Sequence, residues 1–139
     1  MPLRSNWISI ILDLKLKYGL SNILLPKVHF IKGEITVENG KSFQNATIYV
    51  RLEDVSKADA PSKVLSESIL KNVNFDSSSA AIPFDLTVES IDDNSDYNVS
   101  VHIDLNNNGK LDKGDFINMS SYPIRTPNDF MKINVREIK

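Results

Sequence analysis

One twelve-residue segment of the sequence has the side-chain types and spacing of a calcium-binding loop. It runs from 104 to 115 and reads Asp-Leu-Asn-Asn-Asn-Gly-Lys-Leu-Asp-Lys-Gly-Asp. Oxygen-bearing side chains stand at positions 1, 3, 5, 9 and 12, and Gly109 stands at position 6, where such loops reverse direction. The predicted ligands are the side chains of Asp104, Asn106, Asn108, Asp112 and Asp115 and the backbone carbonyl of Lys110.

The composition of this loop favours weak, structural calcium binding. Three carboxylates around a divalent ion leave a net charge of about −1, and neutral asparagines and the short arm of Asp115 lower the affinity. We therefore expect a Kd on the order of 10⁻⁴ to 10⁻³ M, as in extracellular modules. The alternative interpretation is an Asn/Gly-rich connection whose residues simply tolerate left-handed backbone angles.

The other polar residues that could do chemistry form no recognisable site. His102 and Asp104 are two positions apart on one strand face, but no third ligand is assignable, so an exposed polar face is the preferred interpretation. His29 is interpreted as structural. A further acidic group is interpreted as a solvated turn: Asp92, Asp93 and Asp96. The sequence has no Gly-x-Ser-x-Gly elbow, phosphate-binding loop or dinucleotide fingerprint, so we predict a non-enzymatic protein without an organic cofactor.

Length and composition fit one domain with a single core. The chain has 139 residues, a formal net charge of −2 and no cysteine. The near-neutral charge argues against nucleic-acid binding. The lack of cysteine excludes disulfides, thiolate metal sites and acylation of a lipoprotein cysteine within this sequence. No apolar run reaches the ~18–20 residues of a transmembrane helix.

Residues 1–27 are predicted to form an N-terminal extension of the main domain at 28–139. Arg4 and the apolar residues after it resemble the start of a secretory signal, but charged residues interrupt the apolar region at 13–17 and no small-x-small cleavage site follows. We therefore do not expect a complete signal peptide. Apolar residues at the even positions of 8–20 favour a strand or hairpin arm, through which the chain could oligomerise. The main alternative is a poorly packed extension from a mis-assigned start codon.

In the main domain, apolar and polar residues alternate over short segments, which is the pattern of β-strands. Turn signals such as Asn39-Gly40 separate these segments. Seven strands are predicted, at about 28–38, 46–53, 64–73, 82–88, 97–103, 116–124 and 131–138. None of the apolar runs lasts the ~10–12 residues of a core helix. We therefore predict an all-β fold, an antiparallel β-sandwich.

The outward face of the segment 46–53 is a candidate partner-binding surface. Tyr49, Arg51 and Glu53 share this face, and Tyr and Arg are favoured at interface hot spots. A partner could dock there or add a strand to an unpaired sheet edge. The alternative is an ordinary half-exposed strand whose side chains form cross-strand pairs.

Several segments resemble a known protein family. The most specific is the stretch from 46 to 61, whose core reads Leu-Glu-Asp-Val-Ser-Lys-Ala-Asp-Ala-Pro. It is similar to the YscW/YbaY group of small bacterial envelope proteins, which are often called type III secretion lipoprotein chaperones. The resemblance covers about residues 30 to 127. It continues in Gly33-Glu34-Ile35-Thr36-Val37, Ile82-Pro83-Phe84-Asp85-Leu86, Tyr97-Asn98-Val99-Ser100-Val101 and Ser121-Tyr122-Pro123-Ile124.

This resemblance implies an Ig-like or transthyretin-like sandwich in the bacterial periplasm or cell envelope. It also implies a non-enzymatic chaperone or pilot that binds an outer-membrane secretion component. The sequence departs from the family in two respects: it lacks the acylated cysteine that members commonly carry, and it has the full loop at 104–115 where many have a shorter turn. The alternative function is a structural calcium-binding β-sandwich module of adhesion or matrix type.

Overall fold

The computed structural model describes residues 29–57, 59–89, 91–92, 94–124 and 130–139, so the predicted N-terminal extension lies outside the described residues. The described part contains seven strands: β1 (His29–Val37), β2 (Phe43–Asp54), β3 (Lys63–Phe75), β4 (Ile82–Val88), β5 (Tyr97–Asp104), β6 (Phe116–Ile117) and β7 (Phe130–Glu137). A single 3-10 turn, Glu38–Gly40, follows β1. Over these residues, no helix has the length and apolar character of a membrane-spanning segment. The all-β prediction is confirmed.

Hydrogen-bonded ladders connect the strands in the order β3-β2-β5-β6-β7-β1-β4. β7 joins two parts of this sheet, because Phe130–Val135 pair with β1 while Arg136 and Glu137 pair with β6. The two end strands, β3 and β4, also approach each other, and Ser66 Oγ donates a hydrogen bond to the Thr87 carbonyl at 2.7 Å. The sheet therefore curves around a common core and is nearly closed into a barrel.

The sheet is mixed, so the prediction of a wholly antiparallel arrangement is wrong. β1 and β7 run parallel, with Lys32 beside Phe130 and Val37 beside Val135. The two-layer sandwich with an Ig-like or transthyretin-like arrangement is not confirmed, because the ladders link all seven strands in one order.

The strand predicted at 116–124 is much shorter than its alternation indicates, because β6 ends at Ile117. Asn118 accounts for the early end: its side-chain Oδ1 accepts a hydrogen bond from the Val101 amide at 2.8 Å. The chain meets β5 again at an isolated bridge between Asn98 and Pro123. A side chain thus replaces the backbone ladder at this point.

Alternation places one face of each strand in the core, as the sequence predicts. Ile48, Val50 and Leu52 of β2 are fully buried, whereas Tyr49 and Arg51 between them are half-buried. The other strands contribute further buried residues: Ile31, Ile35, Val37, Phe84, Leu86, Val99, Val101, Ile103, Phe116, Ile133 and Val135. Burial of these branched and aromatic side chains supplies the main force that holds the sheet in its curved form.

The turn after β2 contains the Asp-Val-Ser part of the family-like motif. Asp54 Oδ1 accepts hydrogen bonds from the amide of Ser56 at 2.9 Å and from its hydroxyl at 2.5 Å. The Ser56 oxygen in turn accepts a bond from the Asp96 amide at 2.9 Å, and the Val55 amide donates to the Asp96 carbonyl at 2.8 Å. These contacts attach the turn to the start of β5, so the Asp-Val-Ser part of the motif is structural.

Candidate functional site

The predicted calcium-binding loop connects two neighbouring antiparallel strands, β5 and β6. Asn107 holds the loop against the start of β2: its Oδ1 accepts from the Thr47 hydroxyl at 2.6 Å, and its Nδ2 donates to the Asn45 carbonyl at 2.8 Å. Asn107 and Gly109 have φ values of 58° and 75°, in the left-handed region. The loop therefore folds back over the end of the sheet.

Three titratable residues meet beneath this loop. One potential ligand atom from each of His102, Asp104 and Asp115 lies within 4.8 Å of the other two. Their exposed fractions are 8%, 0% and 2%. The interpretation of His102 as part of an exposed polar face is therefore wrong, because the loop covers that face of β5. The third residue of this cluster, which the sequence did not identify beside His102 and Asp104, is Asp115 at position 12 of the loop.

Asp115 is the most extensively hydrogen-bonded carboxylate of the site. Its Oδ1 accepts from the Leu105 amide at 3.1 Å, and its Oδ2 accepts from the Asp112 amide at 3.2 Å. His102 Nε2 lies 2.9 Å from the same Oδ2 and donates when it carries the ring proton. Stacking of the Tyr49 ring on the imidazole, at 5.7 Å between centroids, helps to fix His102. Asp115 is thereby held in one orientation.

Asp104 differs from Asp115, because only one of its oxygens is bonded. Its Oδ2 accepts from the Gly109 amide at 2.7 Å. Its Oδ1 is buried and has no hydrogen-bond partner. A buried carboxylate oxygen without a donor has lost its hydration without compensation, which is costly unless a ligand supplies the missing interaction.

The other predicted ligands lie on the outer side of the loop. Asn106 Nδ2 donates to Asp112 Oδ2 at 3.1 Å, and Asn108 Nδ2 donates to the same oxygen. The hydrogen bond from Asn106, and to a lesser extent that from Asn108, lowers the pKa of Asp112, so this carboxylate is ionised at neutral pH. Lys110 is exposed, and its amide donates to Asn108 Oδ1 at 2.9 Å. The loop thus holds a buried pair of acids and an exposed amide–carboxylate group.

The remaining sequence candidates are dispersed. His29 is the first residue of β1 and is half-buried. It is not part of the loop from Asp104 to Asp115. Asp92 accepts a hydrogen bond from the Asn94 amide at 2.9 Å, which is the geometry of a turn, and Asp96 is exposed. Asp93 lies outside the described residues.

The predicted partner-binding residues share the outer side of β2 but also contact one another and their neighbours. The guanidinium of Arg51 lies 5.1 Å from the centre of the Tyr49 ring, and Arg51 Nε donates to Glu67 of β3 at 2.5 Å. Glu53 accepts from the Ser62 hydroxyl at 3.3 Å. The cross-strand pairs fit an ordinary half-exposed strand, and the partial exposure of the same residues fits a partner-binding face.

β3 adds apolar residues to this surface that the sequence interpretation missed. Ile69 pairs with Tyr49 and Val64 pairs with Glu53, and their exposed fractions are 46% and 48%. Alternation in β3 could have indicated Ile69, because the more buried residues Ser66, Ser68 and Leu70 lie at even positions. It could not have indicated Val64, which lies opposite Glu53 because of a register shift between Leu52 and Glu53. We define the β2–β3 face by Tyr49, Arg51, Glu53, Val64, Glu67 and Ile69. Over the described residues, β3 forms a backbone ladder only with β2.

A protein family and a solved structure are each similar to most of this chain. The type III secretion system lipoprotein chaperone family (YscW) matches residues 26–135. A solved structure, described as an alternative pilotin from the type II secretion system of Vibrio cholerae, is similar with a TM-score of 0.66 and 25% sequence identity. The similarity covers 81% of this chain and 99% of the pilotin chain. A comparison with curated proteins gives no significant match.

Proposed function

Because this chain belongs to the type III secretion system lipoprotein chaperone family (YscW), we propose that it is a chaperone or pilot for a protein component of a secretion system. The family match carries the proposal, since it spans nearly the whole of the described domain. The similarity to a type II secretion pilotin supports the same kind of role. The functional unit of this proposal is the domain at 28–139.

The proposed place of action is the bacterial cell envelope, and the proposed partner is an outer-membrane secretion component such as a secretin. The family description names lipoprotein chaperones, which supports an envelope location. The role is binding without catalysis: both the family and the structural neighbour are described as secretion chaperones or pilotins.

The β2–β3 face is the surface we assign to the partner. It combines two exposed aliphatic side chains, Val64 and Ile69, with the Arg51–Glu67 ion pair and the Tyr49 ring. The Arg51–Glu67 pair lies at the middle of this face, and Ile69 and Val64 lie on either side of it. Aromatic and arginine side chains beside exposed aliphatic ones are typical of interface hot spots. β3 is the end strand of the ladder, and a partner segment could add as a strand to the part of its edge that β4 does not contact. Docking on the face and strand addition at its edge place the partner in the same region.

Capture of the partner from native membranes tests this proposal. The tagged protein is expressed from its own gene in its native host, and outer membranes are solubilised in mild detergent before affinity capture. We expect a secretin or another outer-membrane secretion component to be enriched over a capture from an untagged strain. Capture that enriches no secretion component would contradict the proposal.

A pair of matched variants then tests the assigned surface. Ile69→Asp places a charge on the β2–β3 face beside Tyr49 and should reduce partner binding at least about tenfold, because hot-spot residues contribute about 2 kcal/mol or more each. Met119→Asp introduces the same charge at another exposed apolar position, with 53% of the side chain exposed, and should leave binding unchanged. Equal loss in both variants, or loss in neither, would contradict the assignment of this face.

A second candidate function is a structural calcium-binding module without a chaperone role. The unsatisfied oxygen of Asp104 beneath a loop of metal-ligand type favours it. The two functions predict different results, since a purely structural module has no need of a secretion partner. Partner capture therefore separates them.

A further inference from the structure

We propose that the loop from Asp104 to Asp115 folds around a divalent cation of the calcium class. The observation that carries the proposal is the buried Oδ1 of Asp104, which has no hydrogen-bond partner although the residue is fully buried. Ionised side chains are rarely buried unless they are paired or bind a metal. A cation at this point supplies the missing partner, and nothing in the family description or the structural neighbour assigns one.

The loop backbone orients Asp104 as a metal ligand. The Gly109 amide occupies Oδ2 at 2.7 Å and so leaves Oδ1 for the ion. The left-handed angle of Gly109, φ 75°, reverses the chain at position 6 and directs that amide toward position 1. A residue with a side chain at this position would be strained, because φ lies in the region that only glycine adopts freely.

Asp115 closes the buried side of the site. Its carboxylate lies within 4.8 Å of a ligand atom of Asp104, close enough for one ion to contact both. The end of the loop is fixed by the C-terminal segment, since the Ile138 amide donates to the Asp115 carbonyl at 2.7 Å and the Gly114 amide donates to the Ile138 carbonyl at 2.8 Å. The second acid is therefore positioned by backbone contacts before any ion binds.

The outer side of the loop can complete the coordination shell without a change of fold. Asp112 Oδ2 accepts from the amide groups of Asn106 and Asn108. Rotation of the Asn106 amide by half a turn directs its oxygen, in place of its nitrogen, at an ion beside Asp112. The same rotation of the Asn108 amide exchanges the bond from the Lys110 amide to its Oδ1 for a contact with the ion. The Lys110 carbonyl then provides the backbone ligand at position 7.

His102 acts as a positioning residue in this arrangement. Its Nε2 is 2.9 Å from Asp115 Oδ2, and the Tyr49 ring stacks on the imidazole. A histidine that donates to a metal-binding carboxylate fixes the orientation of that carboxylate. The sequence interpretation that found no role for His102 lacked this contact with Asp115.

The donor set selects calcium over other common divalent cations. Carboxylate, amide and carbonyl oxygens are hard ligands, which suit calcium and magnesium more than zinc or copper. A loop of twelve residues with six oxygen donors at spaced positions fits the larger ion, because magnesium requires near-ideal octahedral geometry and retains several waters. With Asp at position 12 and Asn at positions 3 and 5, the expected Kd is on the order of 10⁻⁴ to 10⁻³ M.

Thermal unfolding of the folded chain in chelator-treated buffer tests the proposal. Calcium at about ten times the Kd should raise Tm by about 3–5 °C for a domain of this size, and magnesium at the same concentration should raise it much less. Asp104→Asn should abolish this rise. In the chelator its Tm should equal or exceed that of the wild type, because the substitution removes an uncompensated buried charge.

Two further variants keep the test decisive. Asp112→Asn changes an outer ligand that the core does not need, and should reduce the calcium-dependent rise even if Asp104→Asn folds poorly. Asp85→Asn removes one charge from an exposed position on β4 and should keep the full rise. An unchanged Tm of the wild type in calcium, a full rise in Asp104→Asn, or a rise with zinc and none with calcium would overturn the proposal. These results do not depend on partner capture, so the two proposals can fail separately.

Discussion

At the scale of single residues, burial of the acids at the end of β5 comes from the loop and not from the sheet. His102 and Asp104 lie on the side of β5 opposite Val101 and Ile103, which face the core, yet all four are buried. Alternation alone predicted solvent at the first pair. The loop that ends at Asp115, eleven residues after Asp104, covers them together with the Tyr49 ring. A contact of this kind depends on loop conformation, so strand periodicity cannot reveal it.

The twelve-residue pattern, by contrast, placed Asp104 and Asp115 at the two ends of one loop from spacing alone. That prediction is consistent with the geometry, because both carboxylates belong to one cluster. Ion binding itself stays a prediction. The hydrogen bonds that now hold Asn106 and Asn108 to Asp112 could not be predicted from spacing, since they depend on side-chain rotation.

Asp54 gives a residue-scale prediction for pH dependence. The hydrogen bond from the Ser56 hydroxyl, and to a lesser extent that from the Ser56 amide, lowers the pKa of Asp54 below the usual value of an aspartate side chain. Because the folded-state pKa is lower than the unfolded-state pKa, this carboxylate stabilises the fold above about pH 4, and the contribution disappears as pH falls through the folded-state value. Asp54→Asn should therefore lower the urea midpoint at about pH 6 and have a much smaller effect near pH 2–3.

Urea unfolding at both pH values checks this, with Asp85→Asn as the control for loss of one acidic charge. An equal change in the Asp54→Asn midpoint at both pH values would show that the Asp54–Ser56 contact does not depend on the charge of the carboxylate.

At the scale of elements, the sequence predicted where the strands lie and which of their faces is buried. It did not predict which strands pair with each other. The alternation of Ile48, Val50 and Leu52 identified β2 and its buried face. The parallel pairing of β1 with β7 was missed because periodicity carries no information on the direction of a neighbour. The length of β6 was overestimated because nothing in the sequence shows that Asn118 ends it. The strand ends there because the Asn118 side chain accepts a hydrogen bond from the Val101 amide.

β1 shows an element-scale constraint that gives a second stability prediction. A Cβ on Gly33 would lie 2.2 Å from the Met131 carbonyl of β7 and 2.8 Å from the Phe84 ring of β4. Gly33→Ala must therefore separate β1 from its neighbours, and it should destabilise the protein by about 1–3 kcal/mol, the usual cost of overpacking. Lys32→Ala, at an exposed neighbouring position, should change the free energy of unfolding by less than about 0.5 kcal/mol.

Chemical denaturation of the two β1 variants measures this difference. If Gly33→Ala unfolds at the same denaturant concentration as the wild type, the close approach of β7 and Phe84 to β1 is not a constraint on the fold.

At the scale of the whole molecule, the nearly closed sheet supports two adjoining surfaces. The loop from Asp104 to Asp115 covers the end of β5, and the β2–β3 face lies on the outer side of the neighbouring strands. Tyr49 belongs to the β2–β3 face and also stacks on His102 beneath the loop, so the two surfaces are in contact. The all-β class and the family were accessible from sequence because the Asp-Val-Ser motif and the alternating strands occur together. The curvature of the sheet, which brings β3 and β4 together, could not be predicted from the sequence.

Assembly of the outer-membrane secretin in living cells tests the central claim most directly. The measurement is the amount of assembled secretin multimer in outer membranes of the native host, with and without the gene for this protein. The account predicts that loss of the gene lowers the amount of multimer, that the wild-type gene restores it, and that the Ile69→Asp variant restores it poorly while Met119→Asp restores it fully. An unchanged amount of multimer in the strain without the gene would contradict a chaperone or pilot function.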